Sequence, residues 1–193
     1  MKHVQTVARE AAPAGPGVRR LVLMDPDGWP LPRAKPGAHI DLHLPGGLVR
    51  AYSLCGDPAR QDRYVVAVKR EGNGRGGSAF VHDALAVGDA LGVSLPRCTF
   101  PLAADAAEHV FVAGGIGVTP FLPMALAAGR AGTPWRLHLL HRGRLPWPTC
   151  SNRWWRRAAP SCTTPGARPA PRSLRCWATP GPAATPTAAA PPA

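Results

Sequence analysis

Residues 109–125 read HVFVAGGIGVTPFLPMA, and the pattern of the chain changes there. HVFVA is a short continuous apolar run, as expected of a parallel strand covered on both faces. The turn GGIGVT follows. Pro120 suits the first position of a helix, where its missing N–H costs nothing. Phe121, Met124, Ala125 and Ala128 then fall on one helical face. Gly129 and Gly132 mark the end of that helix, and WRLHLL (135–140) reads as the next strand. One βαβ unit is therefore expected here.

Upstream the period is that of strands. HVQTVA (3–8), VRRLVLMD (18–25), HIDLHLP (39–45), VRAYSLC (49–55), RYVVAVKRE (63–71) and ALGVSLP (90–96) are short runs separated by Pro, Gly and Asp clusters. In HIDLHLP, Ile40, Leu42 and Leu44 share one face, with His39, Asp41 and His43 on the other. Six such runs predict a six-stranded antiparallel β-barrel. One helix interrupts them, SAFVHDALAVGD (78–89). Ser78 is read as its N-cap and Gly88 as its stop, with Phe80, Val81, Ala84 and Leu85 on one face. The fold class is thus a β-barrel followed by an α/β unit.

The formal charge is +12 over 193 residues. A basic chain points at first to nucleic acid or a membrane surface. The distribution argues against both. No Asp or Glu follows Glu108, and ten arginines with no lysine lie beyond it, so residues 1–108 carry only +2 of the charge. After about residue 145 prolines recur too often for a helix or an interior strand, and residues 146–193 are expected to be a disordered tail. Trp154 and Trp155 beside Arg156 and Arg157 suggest stacking and pairing with nucleic acid, but the flanking sequence supplies no fold to present them. No nucleic-acid or membrane partner is expected. No run of 18 apolar residues occurs, and the first ten residues lack the apolar segment of a signal peptide. The five cysteines, Cys55, Cys98, Cys150, Cys162 and Cys176, show no C-x-x-C spacing and are odd in number. Free thiols in the cytoplasm are expected, with no metal site. His39 with His43 and His138 with His141 lack a third ligand and read as surface histidines.

Three short motifs carry the chemistry. In RAYSLC, Arg50 offers a planar fork of donors, Tyr52 a flat ring with a hydroxyl, and Ser53 a small donor. In GNGRGGS (72–78), glycines let the backbone approach a ligand, and the following helix start favours an anion. AGGIGVTP (113–120) repeats that device on a parallel strand, without the G-x-G-x-x-G spacing of the common dinucleotide fingerprint. Each is weak alone. Together they stand in a set order, with VSLPR (93–97) and FPL (100–102) between the second and the third.

In that order the motifs resemble the ferredoxin–NADP reductase superfamily, and within it the phthalate dioxygenase reductase and vanillate O-demethylase reductase family. The resemblance runs from about residue 3 to residue 140. It implies an FMN-binding barrel over residues 1–103 and an NADH-binding α/β domain over 104–145, followed in the family by a [2Fe–2S] domain. NADH reduces the flavin there, and electrons pass through the cluster to the oxygenase component of an aromatic-degradation system. Arg50, Tyr52 and Ser53 would hold the flavin and its phosphate. Ala67, Val68 and Lys69 would line the ring through their backbone, and Gly76, Gly77 and Ser78 would cradle the phosphate. Thr119 would face flavin and nicotinamide, with Gly114, Gly115 and Gly117 leaving room for the dinucleotide. No catalytic acid or base is implied, in keeping with the lack of any such dyad in the sequence.

The chain departs from the family between about residues 139 and 146. The family's Cys-Gly-Pro turn and its C-x₄-C-x₂-C cluster motif are absent from this sequence. A tail without acids or lysines is what an out-of-frame reading of a GC-rich gene gives. The expectation is therefore a truncated member with a frameshifted end, an incomplete NADH site and no [2Fe–2S] ligands. A flavin-binding module without turnover is the alternative, and a basic nucleic-acid-binding protein a further one.

Overall fold

The computed structural model describes residues 3–140. The readings of residues 141–193, including the tail, His141, the tryptophan–arginine cluster and three of the cysteines, lie outside them.

Six antiparallel strands form the first part: β1 (His3–Gly15), β2 (Val18–Met24), β3 (His39–Leu44), β4 (Leu48–Ser53), β5 (Tyr64–Lys69) and β6 (Ala90–Ser94). They pair in the order β4-β3-β6-β1-β2-β5. The two edge strands approach each other at a single bridge, Leu54 with Val66, where the Cys55 N–H also donates to the Val65 carbonyl at 2.9 Å. The result is a barrel closed at one end of the β4–β5 seam and split along the rest. Alternation places Leu21, Leu23, Ile40, Leu42, Val66, Val68, Leu91 and Val93 in one buried cluster, as the period-2 pattern requires.

β1 is seven residues longer than HVQTVA suggests, running on through REAAPAG. Its pairing with β6 ends at Val7–Ala90. Beyond Ala8 it pairs with β2, with irregularities at Ala8/Glu10 and Pro13/Gly15. Pro13 is tolerated because this half of β1 has only one neighbour in the ladder.

The helix α1 (Gly77–Asp83) is shorter than the sequence suggests, and Gly76, not Ser78, precedes it. The Ser78 hydroxyl instead accepts the Glu71 N–H at 3.1 Å. Gly88, the expected stop, lies beyond the helix in the turn to β6. There Asp89 Oδ2 accepts the Ala86 N–H at 2.8 Å. Val81 and Leu85 are buried with the barrel core and Phe80 packs against it, but Ala84 is exposed. Arg19 of β2 fixes α1 by donating to the Val81 and His82 carbonyls at 2.6 and 2.9 Å. His82 in turn bonds the Val68 carbonyl at 2.9 Å, and Arg70 pairs with Asp83.

The expected βαβ unit is present as β7 (His109–Gly114), α2 (Phe121–Arg130) and β8 (Trp135–Leu140), with β7 and β8 parallel. A 3-10 turn over Gly115–Val118 leads into α2, and Pro120 sits just before its first residue. The strand β7 is not covered on both faces as its composition suggests. Its burial alternates, with Val110 and Val112 exposed, because α2 covers one face only. That covered face continues onto the barrel wall. Val18, Val22, Cys55, Val65 and Ala67 share a buried cluster with Phe111, Val118, Leu122, Met124 and Trp135. Gly37 marks the closest approach. A Cβ there would lie 2.0 Å from the Phe100 carbonyl oxygen and 2.4 Å from Met124 Cε. Arg130 at the end of α2 reaches back to Asp57 with two bonds of 2.6 and 2.5 Å. Cys55 and Cys98 are free thiols. Burial pushes the Cys55 thiol up to about 12.

Candidate functional site

The split in the barrel creates the site. From the Leu54–Val66 bridge, β4 and β5 diverge, and a cleft of about 430 Å³ opens between them. That volume lies within the usual range for small-molecule sites. Arg50, Tyr52 and Ser53 reach it from β4, Ala67 and Lys69 from β5, and Gly77 and Ser78 from the start of α1. The opposite wall is the turn into α2, through Ile116, Gly117, Thr119 and Pro120. Residues far apart in sequence therefore converge because the β4–β5 ladder stops early.

Nine of the thirteen residues singled out from sequence line this cleft. Four do not. Val68 is fully buried in the barrel core, because alternation sends its side chain to the face opposite Ala67 and Lys69. Gly76 lies one residue before the lining residues of α1, in a left-handed conformation with φ of 80°. Gly114 and Gly115 stand behind the turn, and a Cβ at either would meet nothing within 4 Å. Six further residues line it, Ala51, Glu71, Gly74, Arg75, Ile116 and Pro120; all but Glu71 lie within the three short motifs, where the sequence assigns them no binding role. For Glu71 a signal exists: Lys69-x-Glu71 at a strand end puts opposite charges on one side of the chain.

Arg50 is held in a defined place. Its Nη1 donates to the Val49 carbonyl at 2.8 Å and its Nη2 to the Arg75 carbonyl at 2.9 Å. Two of its five N–H groups are used, and three remain. Its stem passes over Gly77, where a Cβ would lie 2.7 Å from Arg50 Cγ. Only glycine gives the arginine that path. The Ser78 oxygen accepts the Glu71 N–H, which leaves its own O–H free to donate. Thr119 is buried, and its Oγ1 donates to the Ile116 carbonyl at 3.1 Å, fixing the turn. Lys69 Nζ lies 3.4 Å from Glu71 Oε1. Partial burial raises the Tyr52 phenol above its ordinary value, opposed by the nearby Arg50 charge, so Tyr52 stays a neutral flat wall with a hydroxyl.

The lining combines the flat phenol of Tyr52 and the methyl group of Ala67 with three cations, Arg50, Lys69 and Arg75, and the hydroxyls of Ser53, Ser78 and Thr119. Arg50 and Ser53 are three residues apart, about 10 Å along a strand. Nothing in the cleft forms an acid–base dyad, and no group of three or more metal-ligating side chains occurs among the described residues. No described helix is long and apolar enough to cross a membrane.

No protein-family model matches the chain. Phthalate dioxygenase reductase of Burkholderia cepacia is 49% identical over 121 residues, which are 62% of this chain and 38% of that protein. Vanillate O-demethylase oxidoreductase of Pseudomonas sp. (strain HR199 / DSM 7063) is 43% identical over 122 residues, 63% of this chain and 38% of that protein. The solved structure of a phthalate dioxygenase reductase, described as modular and as transferring electrons from pyridine nucleotides to [2Fe–2S], superposes with a TM-score of 0.75 at 38% identity. The match covers 81% of this chain and 50% of that one. The chain thus spans well under two thirds of the relatives it matches. Over that span it is a relative of the phthalate dioxygenase and vanillate O-demethylase reductases, with the ferredoxin–NADP reductase fold.

Proposed function

We propose that the cleft between β4 and β5 binds FMN, and that the chain is the flavin-binding part of an NADH-dependent reductase. In this reading the reductase serves the oxygenase component of an aromatic-degradation system through a [2Fe–2S] cluster. The single observation that carries the reading is convergence. Arg50, Tyr52, Ser53, Ala67, Lys69, Gly77, Ser78, Gly117 and Thr119, from four separate segments, line one cleft of about 430 Å³. A bound flavin accepts a hydride and releases electrons singly. The side chains here need only bind and orient. Arg50 and Ser78 hold the phosphate with charge-assisted and hydroxyl donors. Tyr52 and Ala67 flank the ring, and the Ser53 hydroxyl donates to its polar edge. Thr119 and Gly117 form the wall where a nicotinamide would approach, and Gly114 and Gly115 leave open space behind it. Gly76 and the backbone of Val68 complete the assignment by resemblance. The barrel domain is assigned to residues 1–103 and the dinucleotide side to residues 104–145, with a cytoplasmic location.

FMN titration of the purified chain, followed by quenching of flavin fluorescence, tests the first half. Saturable one-to-one quenching is expected, and its absence refutes the assignment. Anaerobic stopped-flow mixing of the flavin-loaded chain with NADH tests the second half. The expected reduction is slower than in a full-length relative, since among the described residues the cleft wall on the side of the βαβ unit is formed by the turn through Ile116, Gly117, Thr119 and Pro120.

A further inference from the structure

Among the cations of the cleft stands a carboxylate that the proposed chemistry does not use. Glu71 lines the cleft with Arg50, Lys69 and Arg75, and no other charged side chain does. Three cations and one carboxylate leave a net of two positive charges. A phosphate monoester carries between about 1.5 and 2 negative charges at neutral pH. The match is closest with Glu71 counted. The carboxylate lies 3.4 Å from Lys69 Nζ. Two Arg50 N–H groups go to the Val49 and Arg75 carbonyls, and the cation paired with Glu71 is Lys69. The side chains of both are more than half exposed, so neither is locked in place by packing.

We propose that Glu71 is a specificity-determining residue of the cleft, a resident counterion for Lys69 that a ligand's phosphate must displace. The inference rests on the cleft being a flavin mononucleotide site. Its consequence is counterintuitive for an acidic residue in an anion site. Glu71 keeps Lys69 paired in the free protein, and it weakens phosphate binding by competing for the same ammonium. It thereby limits how strongly any phosphate-bearing ligand is preferred over its phosphate-free counterpart. The backbone of Glu71 has a separate task, since its N–H clasps Ser78. A side-chain change at this exposed position leaves that clasp intact.

The test is a set of titrations of the full chain with FMN and with riboflavin, at one fixed ionic strength. Glu71→Gln is expected to tighten FMN binding about two- to fivefold, the size of an exposed ion-pair effect, and to leave riboflavin binding unchanged. Lys69→Gln is expected to weaken FMN binding alone. In the Lys69→Gln background, Glu71→Gln is expected to lose most of its effect, because the competition runs through Lys69. Unchanged or weaker FMN binding by Glu71→Gln overturns the proposal. So does an equal shift for riboflavin, or an undiminished effect without Lys69. Failure of the unaltered chain to bind either flavin overturns the reading of the cleft itself, which is a different result from binding that ignores Glu71.

Discussion

Gly77→Ala separates the stability of the barrel from the function of the cleft. Gly77 is the first residue of α1 and has an ordinary helical setting, so the backbone accepts alanine. Replacing glycine in a helix gains up to about 1 kcal/mol, less at a first position. The new methyl group would lie 2.7 Å from Arg50 Cγ, 3.0 Å from Nε and 3.3 Å from Cδ. Carbon atoms in contact settle at about 3.5–4.0 Å. The arginine stem must therefore retreat by roughly 1 Å, at a rotamer cost of about 0.5–1.5 kcal/mol. That movement costs Arg50 its bonds to the Val49 and Arg75 carbonyls, each worth about 1 kcal/mol at a partly exposed position. The losses outweigh the gain, and the unfolding free energy is expected to fall by about 2–3 kcal/mol.

Binding has no such offset. A displaced guanidinium forfeits a charge-assisted phosphate contact of about 1.5–3 kcal/mol, or about tenfold to a hundredfold in FMN affinity. Arg50→Ala should weaken binding to the same extent. The double substitution should be no worse than either single one, since both remove the same contact. Urea unfolding and flavin-quenching titrations on the same preparations give the two quantities. An unchanged Kd for Gly77→Ala refutes the assignment of Arg50 to the phosphate. A loss of stability above about 3 kcal/mol shows instead that the methyl group is absorbed by the barrel.

Two further expectations concern the contact between barrel and βαβ unit. The Arg130 guanidinium holds the Asp57 carboxyl below its usual range, so the pair stabilises the fold above the unfolded carboxylate pKa of about 3.9 and loses its effect as pH falls through the lower folded value. Asp57→Asn should therefore cost about 1 kcal/mol at pH 7, and the gap between the two unfolding curves should close as the pH falls below the unfolded carboxylate value and through the lower folded one. A gap that is independent of pH assigns the effect to packing. Gly37→Ala should be more damaging, by about 2–4 kcal/mol, because φ is +84° and the new Cβ would meet the Phe100 carbonyl oxygen at 2.0 Å. An unchanged urea midpoint would mean that the Phe100 segment moves freely from α2.

The legible parts of this molecule are those where local sequence and tertiary surroundings ask for the same thing. In β3, Ile40, Leu42 and Leu44 alternate because one face meets the barrel core, and the strand falls where the pattern puts it. The second half of β1 is Ala-, Glu- and Pro-containing, with little strand propensity of its own. It is a strand because β2 pairs with it, a cause that lies outside the segment. Ser78 has the chemistry of an N-cap, and the Glu71 N–H claims its oxygen first. Apolar Val110 and Val112 suggest a strand buried on both faces, yet only the α2 side is covered.

The cleft follows the same logic. Arg50, Tyr52, Gly77 and Thr119 are recognisable because each sits in a motif with unusual local demands. Their meeting depends on β4 and β5 parting after Leu54 and Val66, which no local spacing encodes. The Val68 side chain leaves the cleft for a period-2 reason legible in the sequence: with Ala67 and Lys69 facing the cleft, the side chain between them faces the core, which leaves untouched the expectation for its backbone. Glu71 enters the cleft for the same reason. It stands two residues beyond Lys69, just past the end of β5, with its carboxylate 3.4 Å from the lysine. The charge balance of the cleft is thus set by strand alternation as much as by the glycine-rich loop.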